Sequence, residues 1–92
     1  MKTLSDFKKR LKVGTKLETY NHNLKTSFGV RPISVVQTNS FALDTLRDGE
    51  IVQSWCEYPK ASDFEIINEN EALIYWGENE KRTPILTYKF ID

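Results

Sequence analysis

One histidine, His22, and one cysteine, Cys56, are the whole supply for a thiolate–imidazole pair in this chain. In such a pair the imidazole takes the thiol proton and leaves a nucleophile. His22 stands in a polar, asparagine-rich stretch and reads as a solvated loop residue. Cys56 falls on the core side of an alternating apolar run and reads as structural. Carboxylates are the only abundant acid–base groups. Glu69, Glu71, Glu78 and Glu80 flank the apolar run at 73–76, and two of them brought close would resemble a glycosidase pair. The simpler reading is that they solvate loops and keep edge strands from pairing. A barrel of 92 residues leaves little room for a cleft of the ~300–1,000 Å³ usual for ligands.

Other chemistries are narrowed by what is missing. The four glycines are isolated, so no phosphate-binding glycine loop is present. A single thiol makes neither a disulfide nor a cysteine metal site. The expectation is a protein without catalytic, cofactor or metal residues.

Charge is the least random feature. Net charge is zero, yet residues 1–31 carry eight basic and two acidic groups, a net of +6, and residues 32–92 carry five basic and eleven acidic, a net of −6. Lys8, Lys9, Arg10, Lys12 and Lys16 gather near the start. A patch like this contacts phosphates with a steep salt dependence. It also suits the C-terminus of a helix, whose dipole favours cations. The sequence pI of about 6.6 speaks against a dedicated nucleic-acid binder.

These residues need elements to hold them. Leu4, Phe7 and Leu11 share one face of a helix predicted over 3–12, with Thr3 as cap, Asp6 in the first turn and Gly14 as the end. Residues 1–13 are that helical segment, and residues 15–92 are predicted strands of the same single domain. Strands are expected over 15–20 and 31–37, with a loop over 21–29 and Pro32 at an edge or bulge. Asp48–Gly49 is the strongest hairpin signal. It pairs Arg47 with Glu50, Leu46 with Ile51, Leu43 with Ser54 and Ala42 with Trp55. Phe41, Leu43, Val52, Cys56 and Tyr58 then form the core face, and Trp55 the opposite one. A second hairpin turns at 68–70, residues 77–83 are a charged loop, and a last strand covers 85–91. The fold class is mainly β, with one N-terminal helix and six or seven short antiparallel strands. They form a curled sheet or a small SH3-like or OB-like barrel, its helix plugging one end or covering one face.

Aromatics make up 12% of the chain, enough for a compact core. Tyr20, Trp55, Tyr58, Tyr75 and Trp76 would make a stacking platform if one sheet face were open. Trp55 and Trp76 lie opposite the predicted core and are the candidate interface anchors. The longest apolar run, 72–76, is far short of the ~20 residues that span a bilayer. Residues 1–13 do not read as a signal peptide. Together with the absence of disulfides, this points to the cytoplasm.

The segment Ser54–Trp55–Cys56–Glu57–Tyr58–Pro59–Lys60–Ala61–Ser62–Asp63–Phe64, followed by Leu86–Thr87–Tyr88, resembles small uncharacterised proteins of prophages and conjugative elements in low-GC Gram-positive bacteria. The resemblance covers roughly the C-terminal half. It implies a bacterial cytosolic setting and an accessory role, and it carries over no functional residue. The reading is a non-catalytic protein-interaction domain with an unidentified protein partner and no membrane. A nucleic-acid-binding accessory domain using the basic N-terminal segment is the alternative, and a small hydrolase using the loop glutamates comes last.

Overall fold

The structure, a computed structural model, describes residues 1–76 and 83–91, with Trp76 through its backbone alone. The chain opens with helix α1, Leu4–Arg10. Thr3 Oγ1 accepts from the Asp6 N–H at 3.2 Å, and the Asp6 carboxylate accepts from the Thr3 N–H at 3.2 Å and the Lys2 N–H at 2.9 Å. This capping box satisfies donors that a helix leaves open. The Lys2 N–H in particular holds the Asp6 carboxyl below its ordinary range. Thr3→Ala is expected to cost about 1 kcal/mol, a fall in Tm of about 4–8 °C in a thermal melt.

The helix is shorter than its apolar pattern predicts. Leu11 is already extended, with ψ 106°, so Lys12 lies beyond the last turn. A competing set of bonds takes over there. Gly14, at φ +93°, donates to the Ile33 carbonyl at 2.8 Å, and Ile33 donates back to Thr15 at 2.8 Å. The chain is thereby tied to the sheet before the helix can continue.

Among the described residues seven strands follow: β1 Lys16–Asn21, β2 Thr26–Val36, β3 Ser40–Arg47, β4 Glu50–Glu57, β5 Phe64–Ile66, β6 Glu71–Trp76 and β7 Thr83–Ile91. They form one antiparallel sheet in the order β4-β3-β2-β1-β7-β6-β5. Of the two architectures expected, the curled sheet is the one found; β4 and β5 remain edges, so the barrel is not closed. The curl is strong. Phe41 of β3 and Tyr88 of β7 have ring centroids 5.7 Å apart, although a flat sheet would separate those strands by about 14 Å.

The β3–β4 hairpin has the predicted register throughout, including Arg47↔Glu50, Leu46↔Ile51, Leu43↔Ser54 and Ala42↔Trp55. Asp48 at φ +53° and Gly49 at φ +81° supply the two left-handed positions that match the turn to the strand twist.

Strand β2 departs from expectation. The predicted loop over 21–29 shrinks to a turn, and the strand starts at Thr26. Pro32, expected at an edge or a bulge, lies inside an interior strand and between two bulges. It sits where pairing with β1 ends and pairing with β3 begins at Ile33, a hand-over at which a missing N–H is least costly. The strand is bulged on both sides of this point. Between Glu18↔Val30 and Tyr20↔Ser27 it carries one extra residue, next to Gly29 at φ +82°. The bulge re-aims Phe28, whose ring lies 5.7 Å from the Arg31 guanidinium. Strand β7 likewise starts earlier than predicted, at Thr83.

The concave face holds the core. Leu17, Ile33, Phe41, Leu43, Ala72 and Phe90 are buried there, with Phe7 and Leu11 brought in by the helix. The Phe7 ring lies 5.2 Å from Phe64, 5.5 Å from Phe90 and 5.9 Å from Tyr88. The helix therefore plugs one end of the curled sheet.

Candidate functional site

The basic cluster is divided by the fold. Arg10 folds back over the Phe90 ring at 4.1 Å and donates to the Glu69 carbonyl and to Asn70 Oδ1. Stacking on a ring face and bonding a turn make it a latch between helix and sheet. Lys8 lies 4.7 Å from the Tyr58 ring centre. Lys9, Lys12 and Lys16 are exposed and are what remains to meet a phosphate.

The expected aromatic platform is not assembled among the described residues. Tyr58 packs on Phe41 at 5.6 Å. Tyr20 sits edge-on to His22 at 4.9 Å, on a strand three places from that of Trp55. The Trp76 side chain lies outside the described residues. His22 is not the solvated loop residue predicted. Its Nε2 is 2.7 Å from Thr87 Oγ1 and its backbone N–H donates to the Ile85 carbonyl at 2.9 Å, because the tight β1–β2 turn carries it onto the sheet. Glu71 is 3.9 Å from Lys89 in an ion pair, and Glu69 is exposed in a turn. Glu78 and Glu80 lie outside the described residues. Cys56 faces the concave side as expected, and burial pushes its thiol up.

Trp55 is where the hairpin register puts it, on the outer face. It is 51% exposed, with Leu46 at 73% and Ile51 at 72%. Leu46 and Ile51 are directly opposed, and Trp55 stands two positions along the same face, past Gln53 and Asp44. Three large apolar side chains thus share the outside of an edge hairpin. The far side of β4 pairs with no strand among the described residues.

The expectation that the domain lacks room for a cleft is not met. Curling opens a cavity of about 350 Å³ between β4 and strands β6 and β7, lined by Trp55, Tyr58, Ile74 and Tyr88 among others. A second, of about 320 Å³, lies over Arg31. In the sequence Arg31 is one of the eight basic residues of positions 1–31. A signal was present: Thr19, Arg31, Thr45 and Ser54 are polar at inward positions of four neighbouring strands, in line with apolar inward residues. No protein-family model matches the chain, and no curated protein or solved structure shows significant similarity to it.

Proposed function

We propose that this protein is a non-catalytic interaction domain that takes a strand of a partner protein along the free edge of β4. The observation that carries this reading is the exposure of Leu46, Ile51 and Trp55 on one face of that edge hairpin. An eight-residue edge with unpaired backbone groups and large apolar side chains is a template for strand addition. Main-chain bonds along β4 supply affinity, and Trp55 and Ile51 select apolar residues at alternate positions. Glu50 and Glu57 at the two ends of β4 favour a partner strand with basic residues at its ends. The resemblance of residues 54–64 to proteins of bacterial mobile elements supports an accessory role in the cytoplasm.

The test is affinity capture in parallel with the wild type and with Ile51→Lys/Trp55→Lys. These side chains are exposed, so the variant is expected to fold. A partner held by the wild type and weakened about thirtyfold or more by the double substitution, the range of an interface hot spot, supports the reading. Equal capture by both proteins contradicts it.

A second reading rests on the exposure of Lys9, Lys12 and Lys16. Retardation of single- or double-stranded nucleic acid that weakens with salt and is lost in Lys9→Glu/Lys12→Glu would favour it over strand addition.

A further inference from the structure

The two halves of the concave face are chemically different. At the helix end the inward residues are apolar and ring-packed. At the open end Thr19 of β1, Arg31 of β2, Thr45 of β3 and Ser54 of β4 line the cavity of about 320 Å³. Phe28 and Leu86 give it apolar wall, and Arg47 adds a second cation.

Arg31 spans this layer. One terminal nitrogen donates to Thr45 Oγ1 at 2.8 Å and the other to Thr19 Oγ1 at 3.2 Å. Its Nε is buried and has no hydrogen-bond partner. No carboxylate pairs with it among the described residues, and no acidic residue lines the cavity. A purely structural arginine of this kind would be an odd choice. Two hydroxyls leave its charge without a counter-ion and its buried Nε–H without an acceptor, and an unmatched buried donor is costly. The same guanidinium is well built to receive an anion, because each terminal nitrogen keeps a second N–H beyond its threonine bond, and the two nitrogens form a planar fork for a carboxylate or phosphate. The bulge at Gly29 adds a wall to this site by turning Phe28 towards it.

We propose that the cavity over Arg31 binds a small organic anion, its carboxylate or phosphate on the Arg31 fork and its apolar body against Phe28 and Leu86. The volume is at the lower end of ligand sites, so the body is about the size of one aromatic ring. Four hydroxyl-bearing side chains, those of Thr19, Thr45, Ser54 and Tyr88, are placed to complete the head-group bonds. This site is on the opposite face of the sheet from the outward side chains proposed for the partner strand, and it stands or falls independently.

The probes are benzoate, phenyl phosphate and inorganic phosphate, with benzyl alcohol as the neutral match. Titration is followed by NMR on the Arg31 Nε–Hε signal and the Thr19 and Thr45 amides. Saturable shifts at all three with benzoate or phenyl phosphate, and none with benzyl alcohol, are expected. The head group preferred is read from which of the two binds more tightly, and inorganic phosphate, lacking the body, is expected to bind more weakly than phenyl phosphate. Arg31→Gln is expected to weaken binding about tenfold or more, while Lys9→Gln leaves it unchanged. If Arg31→Gln does not fold, the wild-type Nε–Hε shift decides. No saturable shift by either organic anion up to about 10 mM overturns the proposal. So do shifts confined to Lys9 and Lys12, or equal affinity in a folded Arg31→Gln.

Discussion

Phe7→Ala is expected to cost about 3–5 kcal/mol, the range for removing a buried aromatic ring. Domains of this kind hold only about 5–15 kcal/mol in total, so the variant should be at or near the edge of folding. Phe7 has no exposed surface, and its ring meets Phe64, Tyr88 and Phe90 within 6 Å. It is the helix's main link to the curled sheet, because α1 has only seven residues and a helix so short has no stability of its own. Loss of the ring therefore frees the helix as well as leaving a cavity. Phe7→Leu, which keeps most of the apolar volume, is expected to cost about 1–2 kcal/mol. Urea unfolding of the three proteins checks this. A loss below about 1 kcal/mol for Phe7→Ala would mean that the helix only rests on the sheet.

Raising the pH is expected to unfold the protein through Tyr88. Burial pushes its phenol well above the ordinary value of 10.0; the neighbouring Cys56 adds to this and the Arg31 charge opposes it. Burial also raises the Cys56 thiol above its ordinary 9.0. A pKa raised by folding means that the folded state holds the proton more tightly than the unfolded chain. The associated stability is complete below the unfolded value and is lost as pH rises towards the folded one. Above about pH 10, Tyr88 alone should remove about 1.4 kcal/mol for each further unit of pH. Tyr88→Phe keeps the ring between Phe7 and Phe41 and deletes the acid, so its alkaline unfolding is expected at higher pH than that of the wild type. Denaturant midpoints measured between pH 7 and 11 decide the matter. Parallel alkaline losses in the two proteins would place the sensitive group elsewhere.

Local signals were legible in the sequence where one interaction dominates. Asp48–Gly49 fixes the β3–β4 register because few residue pairs tolerate two left-handed positions. Leu4, Phe7 and Leu11 identify the docking face of the helix because a short amphipathic helix has only one way to hide them. The misreadings arise where distant bonds win. Helix α1 stops early because Gly14 and Thr15 bond to Ile33. The predicted loop before β2 becomes strand because β1 offers it a partner. The place of Arg10 is not legible in the sequence because the Glu69–Asn70 turn and the Phe90 ring that capture it lie about sixty and eighty residues away. The outer-face position of Trp55 was readable from alternation alone. The polar inward positions of Thr19, Arg31, Thr45 and Ser54 were readable in the same way, but the cavity over them was not, because it exists only through the curl of the sheet and the bulge beside Phe28.

The central claim is that the outer edge of β4 receives a partner. A photo-crosslinking residue placed at Ile51 tests it most directly, with the same residue at Tyr20, outward on β1, as the comparison. In cells that make the protein, a discrete protein adduct from position 51, absent from position 20 and lost on Trp55→Lys, is the expected result. No adduct from position 51, or the same adduct from both positions, would contradict the account.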